Sequence, residues 1–292
     1  MAVQKMKKSG VTSALAAFAS KGSSLDKLKE LKDKGDRVGG GASFFRVPTG
    51  TTDVRILPAI DEDEAFYHAT AYYYINGKYV YDRRYQDETA FSHIGAYASK
   101  LWKQYKDGGE KDERLAKEAK SLFPKQQFLF NVLVRSDDGD RVVVMQTGKG
   151  VKDNITELCL DDSYGDVSNA VTGRDLGIKR MGKGLGTTYQ VMPRDISLLA
   201  GDDDDDYEAA ELIQEVLDQR KNLAELIKYP TEEEEKAELA RYLSDFEDSD
   251  EESESEVEDD EDDEDEVTDD DENTLDEIEA QLEAAKRKRR GK

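Results

Sequence analysis

The densest group of chemically useful side chains in this sequence is a run of tyrosines that ends in two arginines. It lies in the segment FYHATAYYYINGKYVYDRR, which closes with Arg83 and Arg84. Tyrosine rings offer π faces on which nucleic-acid bases stack, and Lys and Arg side chains neutralise phosphates. The chemistry that these residue types support is therefore non-covalent binding of single-stranded nucleic acid, without base-specific readout.

The spacing of these tyrosines predicts that they share one face of a β-hairpin. Asn76-Gly77 between aromatic, β-prone runs is the strongest short hairpin signal, and a two-residue turn fixes the register. We expect the aliphatic face of the hairpin to pack on the core and the other face to look outward. Any one tyrosine fills a sheet as readily as it binds a ligand, but four on one face beside two arginines favour binding. The four residues of this tyrosine face are Tyr72, Tyr74, Tyr79 and Tyr81.

Basic and aromatic residues are interleaved on other predicted elements as well. A strand in FFRVPTGTTDVRILP, an amphipathic helix between Glu88 and Lys106 and a Gly-rich loop in GRDLGIKRMGKGLGTTYQVMPRD all carry them. We expect the nucleic acid to run along a groove between the tyrosine hairpin and the Lys- and Arg-bearing strands. Beside the tyrosine face with Arg83 and Arg84, the candidate binding residues are Arg46, Arg55, Lys100, Trp102, Lys103, Lys149, Lys179, Arg180 and Lys183.

Several enzyme-like patterns fail on inspection. The glycine spacing in GIKRMGKG matches a phosphate-binding loop, but Gly184 stands where Ser or Thr must hold magnesium. His68 and His93 are the only histidines and have no cysteine partner nearby, and the acidic runs lack the glycine of a calcium-binding loop. A nuclease would need a compact carboxylate set on predicted strands, which the sequence does not show. We therefore predict that the protein is not an enzyme.

The charge of the chain is concentrated in one segment. The 292 residues carry a formal net charge of -25, and residues 244–285 hold 25 Asp and Glu and no Lys or Arg. Such a polyanion mimics a phosphate backbone, so it can compete with nucleic acid for a basic groove. The alternative is a disordered tail that only improves solubility.

Composition and patterning set the remaining expectations. One cysteine, Cys159, excludes an intrachain disulfide and is predicted to be a buried thiol of an intracellular protein. No apolar run is long enough to span a membrane. A second hairpin is predicted around Asp137 to Asp140, a short helix in VKDNITELCLDD, and a mobile connection in DGGEKDERLAKEAK.

These elements predict an α+β chain with a mainly β core: a small, partly open barrel with a helical insertion. C-terminal helices and a disordered acidic tail follow it. The predicted divisions are a basic N-terminal arm (1–43), the barrel core (44–200), C-terminal helices (201–243) and an acidic tail that ends in a short, basic-ended helix (244–292).

Several segments of the chain together resemble a known protein family. RILP, the YYYINGKYV hairpin, LWKQYK, KQQFLFNVLVR and above all YGDVSNAVTGRDLGIKRMGKGLGTTYQVMPRD are similar to the single-stranded DNA-binding proteins of tailed-phage replisomes. The resemblance implies an OB-type core that coats single-stranded DNA in replication, recombination and repair, in the cytoplasm of the infected bacterial host. It also implies an acidic tail that contacts replication and recombination partners. A basic arm would associate with the next molecule along DNA through Lys5, Lys7, Lys8 and Ser9.

The sequence departs from that family in two places. Family members often hold zinc with Cys and His just after the hairpin, whereas DRRYQDETAFSHIGAYASK supplies only His93, so no metal or other cofactor is expected. The family tail usually ends acidic, whereas this chain ends in KRKRRGK. A rival interpretation from another class is an acidic chaperone of basic proteins, in which the polyanion is the working part and the basic end is a nuclear address.

Overall fold

The structure is a computed structural model that describes residues 44–61, 63–109, 111–137, 139–201 and 206–247, together with Leu15 and Phe18. The described chain forms two compact units. The first unit comprises residues 44–68 and 128–226 with Leu15 and Phe18, and the second comprises residues 69–127 and 227–247. Each unit interrupts the other in sequence, so neither corresponds to one continuous stretch of chain.

Seven strands form a mostly antiparallel open sheet in the order β3-β2-β4-β1-β6-β7, with β5 paired to β4. The predicted α+β class is confirmed. The two predicted hairpins are present as β2–β3 and β4–β5, and the strands on either side of the Gly-rich loop pair as β6–β7. The strands are β1 (Gly50–Ile56), β2 (Tyr67–Ile75), β3 (Lys78–Tyr81), β4 (Lys125–Val134), β5 (Arg141–Thr147), β6 (Arg174–Met181) and β7 (Thr188–Ile196).

The described part of residues 44–247 includes five α-helices and three short 3-10 helices, at Arg83–Tyr85, Gly184–Gly186 and Ala224–Leu226. The α-helices are α1 (His93–Asp107), α2 (Glu113–Ser121), α3 (Lys149–Leu160), α4 (Asp206–Asp218) and α5 (Glu232–Glu247). The predicted short helix is confirmed as α3, but the predicted mobile connection is wrong, because α2 occupies most of it. Asp112 caps α2 by accepting a hydrogen bond from the Arg114 backbone N–H at 3.1 Å.

The core of the first unit includes two residues of the N-terminal arm. Leu15 and Phe18 are 4% and 8% exposed and pack with side chains from β4, from α4 and from the connecting segments. Burying two large apolar side chains stabilises a fold by several kcal/mol, on the order of 1.5–3 kcal/mol each. This part of the arm is therefore structural. The cluster also contains Leu57, Leu133, Ala170, Leu199, Ala209, Ile213 and Leu217.

The core of the second unit joins the β2–β3 hairpin to three helices. The aliphatic face of the hairpin packs against α1, α2 and α5, as the sequence predicts. Tyr73 and Ile75 are 0% and 1% exposed. The other members of this cluster are Val80, Ile94, Ala98, Leu101, Ala119, Leu122 and Leu239.

Cys159 is buried on α3, as predicted, and burial raises the pKa of its thiol to about 12. Among the described residues, no helix is long and apolar enough to cross a membrane.

Candidate nucleic-acid interface

The turn of the β2–β3 hairpin has the geometry that the sequence predicts. Asn76 and Gly77 both have positive φ, 53° and 71°, which is the requirement of a type I′ turn. The observed register pairs Tyr72 with Tyr81 and Tyr74 with Tyr79. The tyrosine face therefore exists as one face of the hairpin, opposite the buried Tyr73.

Only half of the tyrosine face is open to solvent. Tyr74 and Tyr79, next to the turn, are 51% and 53% exposed. Tyr72 is half-buried, and Tyr81 is 5% exposed because its ring packs edge-on against Tyr229, with centroids 5.5 Å apart. The expectation that all four rings look outward is wrong for Tyr81, which the C-terminal segment covers.

The exposed rings hold one another in place. The ring of Tyr79 lies between two other rings. Its centroid is 4.9 Å from that of Tyr72, with an interplanar angle of 86°, and 5.2 Å from that of Tyr74, with an angle of 51°. Edge-to-face and tilted pairs at these separations stabilise aromatic clusters, because the electropositive ring edge meets the electronegative face. A base that stacks on Tyr74 or Tyr79 would meet rings that are already restrained.

Helix α5 fixes the tip of the hairpin through one residue. Asn76 Nδ2 donates to the backbone oxygen of Glu238 at 2.9 Å and to its Oε2 at 3.1 Å. Lys78 Nζ donates to Glu238 Oε1 at 2.6 Å. The charge of Lys78 is therefore neutralised locally, so the exposed part of this hairpin is aromatic rather than cationic.

Arg84, a predicted binding residue, is directed into the unit. Its Nε and Nη2 donate to Asp82, and its Nη2 also donates to the hydroxyl of Tyr73 at 3.0 Å. Arg83 has a side chain that is 20% exposed and lies 4.0 Å from the carboxylates of Glu232 and Glu235. Neither arginine is the solvent-facing cation that the sequence predicts, because neighbouring acids recruit both.

A buried hydrogen-bond network lies beneath the hairpin. The Tyr73 hydroxyl donates to Asp82 Oδ2 at 3.0 Å and contacts Ser92 Oγ at 2.8 Å. Ser92 caps α1 and donates to Glu235 Oε1 at 2.9 Å, and the Ile94 backbone N–H donates to the same oxygen. Burial raises the pKa of Tyr73 and of Glu235. The network ties the hairpin to α1 and α5.

Helix α1 carries a second aromatic and basic group. Trp102 is half-buried, contacts Tyr105 at 5.4 Å and Phe123 at 5.8 Å, and has Lys106 Nζ 5.2 Å from its ring centroid. Lys103 is exposed and Lys100 is half-buried. A cation over an indole face contributes about 0.5–1 kcal/mol at an exposed site, so Lys106 helps to orient the Trp102 ring.

In the first unit, the two candidate arginines near β1 differ in solvent exposure. Arg46 is exposed, whereas Arg55 is 0% exposed. Arg55 donates to Asp175 and to the backbone oxygens of Asn169 and Ser197, at 3.2, 3.1 and 2.7 Å. Burial lowers its pKa to about 10, and it remains a structural cation. The prediction that Arg55 faces solvent or phosphate is wrong, because both faces of β1 are covered at this end.

The β6–β7 hairpin brings several candidate cations to one region. Lys183 is exposed in the connecting loop, and Lys179 and Arg180 are half-buried on β6. Arg180 also donates to the backbone oxygen of Val47 at 3.3 Å. Lys149 is exposed at the first position of α3, in the same unit.

Two further exposed residues of this hairpin were not among the binding residues predicted from the sequence. Tyr189, paired with Arg180, is 39% exposed, and Arg194 is half-exposed on β7. Alternation in TTYQVMPRD gave no signal for an exposed Tyr189, because it places Tyr189 on the same face as Val191. Arg194 had no signal of its own, although an isolated glycine in a strand, Gly177, often marks a close approach.

His93, the one zinc-ligand candidate that the sequence supplies just after the hairpin, contacts an acidic side chain and an aromatic ring. His93 Nε2 lies 3.2 Å from Glu232 Oε1, and its ring packs edge-on against Phe91. The part of the chain that the structure describes holds no group of three His, Cys, Asp or Glu side chains suited to a metal ion. The predicted self-association residues Lys5, Lys7, Lys8 and Ser9, the acidic tail and the predicted terminal helix lie outside the described residues.

The chain matches the model of a known protein family. A family model described as gp32 DNA binding protein like matches residues 48–247, which covers more than half of the chain and nearly all of its described part. No curated protein sequence matches the chain.

Proposed function

The chain belongs to the family of gp32-like DNA-binding proteins of phages, which bind single-stranded DNA, and on this premise we propose that it coats such DNA without reading its sequence. The family resemblance inferred from the sequence is thereby confirmed. The observation that carries the proposal is the pair of half-exposed tyrosines at the tip of a rigid hairpin, Tyr74 and Tyr79. Every base has a π face, so stacking on these rings tolerates any sequence and contributes about 1–3 kcal/mol per base.

The cations of the β6–β7 hairpin support the same function. Lys179 and Lys183, with Lys149 at the start of α3, are placed on the surface of the first unit, where they can neutralise phosphates. Phosphate contacts make affinity depend on salt, with a slope of about -0.7 per contact for single strands. We retain Arg46 and the α1 residues Lys100, Trp102 and Lys103 as further proposed contacts.

We propose that the protein works as a non-enzymatic, cofactor-free component of phage DNA replication, recombination and repair, in the cytoplasm of the infected host. The acidic tail would recruit replication and recombination proteins and compete with DNA for the basic residues. The first part of the arm would link neighbouring molecules. Deleting residues 1–10 should abolish clustering on long DNA while leaving Leu15 and Phe18 in the core; unchanged clustering would contradict this role.

A titration tests the central proposal. Labelled oligothymidine and a duplex of equal length are titrated with the full-length protein at several salt concentrations. We expect tighter binding to the single strand and an affinity that falls steeply as salt rises. Equal affinity for both forms, or no binding to either at low salt, would refute the proposal. If the chaperone interpretation is correct, the protein binds basic proteins through residues 248–292 and shows no preference for single strands.

A further inference from the structure

One arginine of the first unit lies flat on the sheet. Arg194 Nε and Nη2 both donate to Asp53 Oδ1, at 2.9 and 2.7 Å. A Cβ placed on Gly177 would lie 2.6, 2.8 and 3.1 Å from Nη2, Cζ and Nε of Arg194. The guanidinium plane therefore spans the backbone of Gly177, and any other residue at this position would displace it.

Stability alone does not account for this arrangement. The Arg194 and Asp53 side chains are 44% and 45% exposed, and an ion pair this exposed contributes little to stability. Glycine inside a strand weakens the strand, because it adds backbone entropy and removes packing. Gly177 sits in the middle of β6, which is paired on both sides. A glycine inside a strand often marks a bulge, a bend or a close approach, and here the space that a Cβ would fill is occupied by the exposed guanidinium.

The surroundings of Arg194 match a nucleic-acid ligand. Lys179 follows Gly177 by two positions on β6, so both lie on the same face, roughly 7 Å apart. Lys179 is flanked by Thr51 on β1 and Gln190 on β7, both exposed and uncharged. This stretch of sheet is polar and partly exposed, with Lys179 beside the Arg194–Asp53 pair, and it offers one planar group.

We propose that the open side of the Arg194 guanidinium is a stacking platform for one base of single-stranded DNA, with Lys179 neutralising a neighbouring phosphate. Asp53 is the positioning residue that holds the plane parallel to the sheet. A base rather than a phosphate lies over Arg194, because the Asp53 carboxylate would repel a phosphate at this point. Arginine planes stack on unpaired bases in the same way as aromatic rings do. This inference rests on the proposed function and adds a contact residue in the first unit.

The test uses Arg194→Lys and Arg194→Ala in the full-length protein, with oligothymidine as the probe. Lysine keeps the charge and removes the plane, so both variants should bind more weakly, by about fivefold or more. The slope of affinity against salt should stay at the wild-type value, since every phosphate remains neutralised as before. The matched control is Arg114→Ala, which removes a charge from a side chain that is 94% exposed on α2 and should leave affinity unchanged. Thermal unfolding of each variant checks that the fold is intact.

A second variant displaces the Arg194 guanidinium without changing Arg194 itself. Gly177→Ala inserts a Cβ beneath it and should lower affinity as Arg194→Ala does. In the double variant the two decreases should not add, because both remove the same stack.

The outcomes separate this inference from the proposed function. If the wild-type protein fails to prefer single strands, the proposed function fails. If it binds single strands and Arg194→Ala behaves like Arg114→Ala, only the platform is refuted. A salt slope reduced by about 0.7 in Arg194→Ala, or full affinity in Arg194→Lys, would show that Arg194 binds phosphate, and this would also overturn the stacking proposal.

Discussion

The β2–β3 and β6–β7 hairpins, the two proposed contact regions for DNA, differ in the side chains that they expose. Around the β2–β3 turn the nearby cations are engaged by acids: Lys78 by Glu238 and Arg84 by Asp82, which leaves exposed aromatic rings. Around the β6–β7 loop Lys183 is exposed, Lys179 and Arg180 are half-buried, and Tyr189 is 39% exposed, so cations accompany a single aromatic ring. Stacking is nearly independent of salt, whereas phosphate binding is not. Affinity and salt dependence should therefore be separable by hairpin.

The largest expected effect is on the free energy of unfolding, and it distinguishes substitutions on the two faces of the β2–β3 hairpin. Tyr73→Ala removes a fully buried ring and its hydroxyl from the network, and should lower the free energy of unfolding by about 3–5 kcal/mol. Tyr74→Ala, one position away and half-exposed, should lower it by about 1 kcal/mol or less, through the lost cross-strand pair with Tyr79. Urea denaturation of both variants measures the difference. Similar decreases in stability would mean that the register of the hairpin is not the one described.

The next effect is on binding by the exposed rings. Replacing Tyr74 and Tyr79 by Ala should weaken oligothymidine binding by about 1–3 kcal/mol for each stack removed, and leave the salt slope unchanged. Tyr81→Phe is the matched control, because the Tyr81 ring is covered by Tyr229 and should not touch DNA. If the dependence of affinity on salt also weakened in the double variant, the β2–β3 hairpin would be binding phosphates, and the proposed division of stacking and phosphate binding between the two hairpins would be wrong.

Removal of the acidic tail should act on the cationic hairpin. Helix α5 ends at Glu247, so truncation after this residue keeps the helix and removes 23 acids and 6 bases, a net charge of -17. We expect tighter binding, most of all at low salt, because screening shortens the reach of charge to about 8 Å near physiological ionic strength. The basic end KRKRR should reduce the gain by pairing with the acids in cis. Weaker binding after truncation would show that the tail, or its basic end, holds DNA.

Lysine replacement should produce a smaller change, in the salt slope. Lys179→Ala and Lys183→Ala together should reduce the slope by up to about 1.4, because each lysine that neutralises a phosphate accounts for about 0.7. The gain from tail removal should also shrink in this background, since both polyanions compete for these residues. Arg114→Ala controls for the loss of a single charge on an exposed surface. An unchanged slope would remove the β6–β7 hairpin from the DNA interface.

The smallest effect tests the network that supports the aromatic hairpin. Burial raises the pKa of Glu235 above its ordinary value of 4.5, so the folded state favours the protonated carboxyl. Stability from this group is present below pH 4.5 and is lost as the pH rises through the folded pKa. Glu235→Gln should remove this part of the pH dependence in denaturation curves. Burial lowers the pKa of His93, so this residue reduces stability as the pH falls. Because His93 is present in the wild-type protein and in Glu235→Gln, its contribution cancels when the two pH profiles are compared. Parallel pH profiles for the two proteins would contradict the assignment.

Local patterns in the sequence determined much of this structure. The Asn76-Gly77 turn, the register of the tyrosine face and the short helix α3 all follow from interactions between residues close in sequence. Turn geometry and side-chain alternation depend on only a few neighbouring φ and ψ angles, so they can be read without knowledge of the fold. The concentration of negative charge in one segment is likewise a property of the sequence alone.

Tertiary structure decided which of those side chains reach solvent. Tyr81 is covered by Tyr229, which lies 148 positions later, and Arg55 is held by Asp175 and Ser197. Arg194 is set flat by a missing Cβ on another strand. Exposure depends on which distant segments pack against a residue, and a buried acid can draw in an arginine that composition alone would place on the surface. The sequence by itself determined the chemistry available to this protein, and packing between distant segments determined which groups can use it.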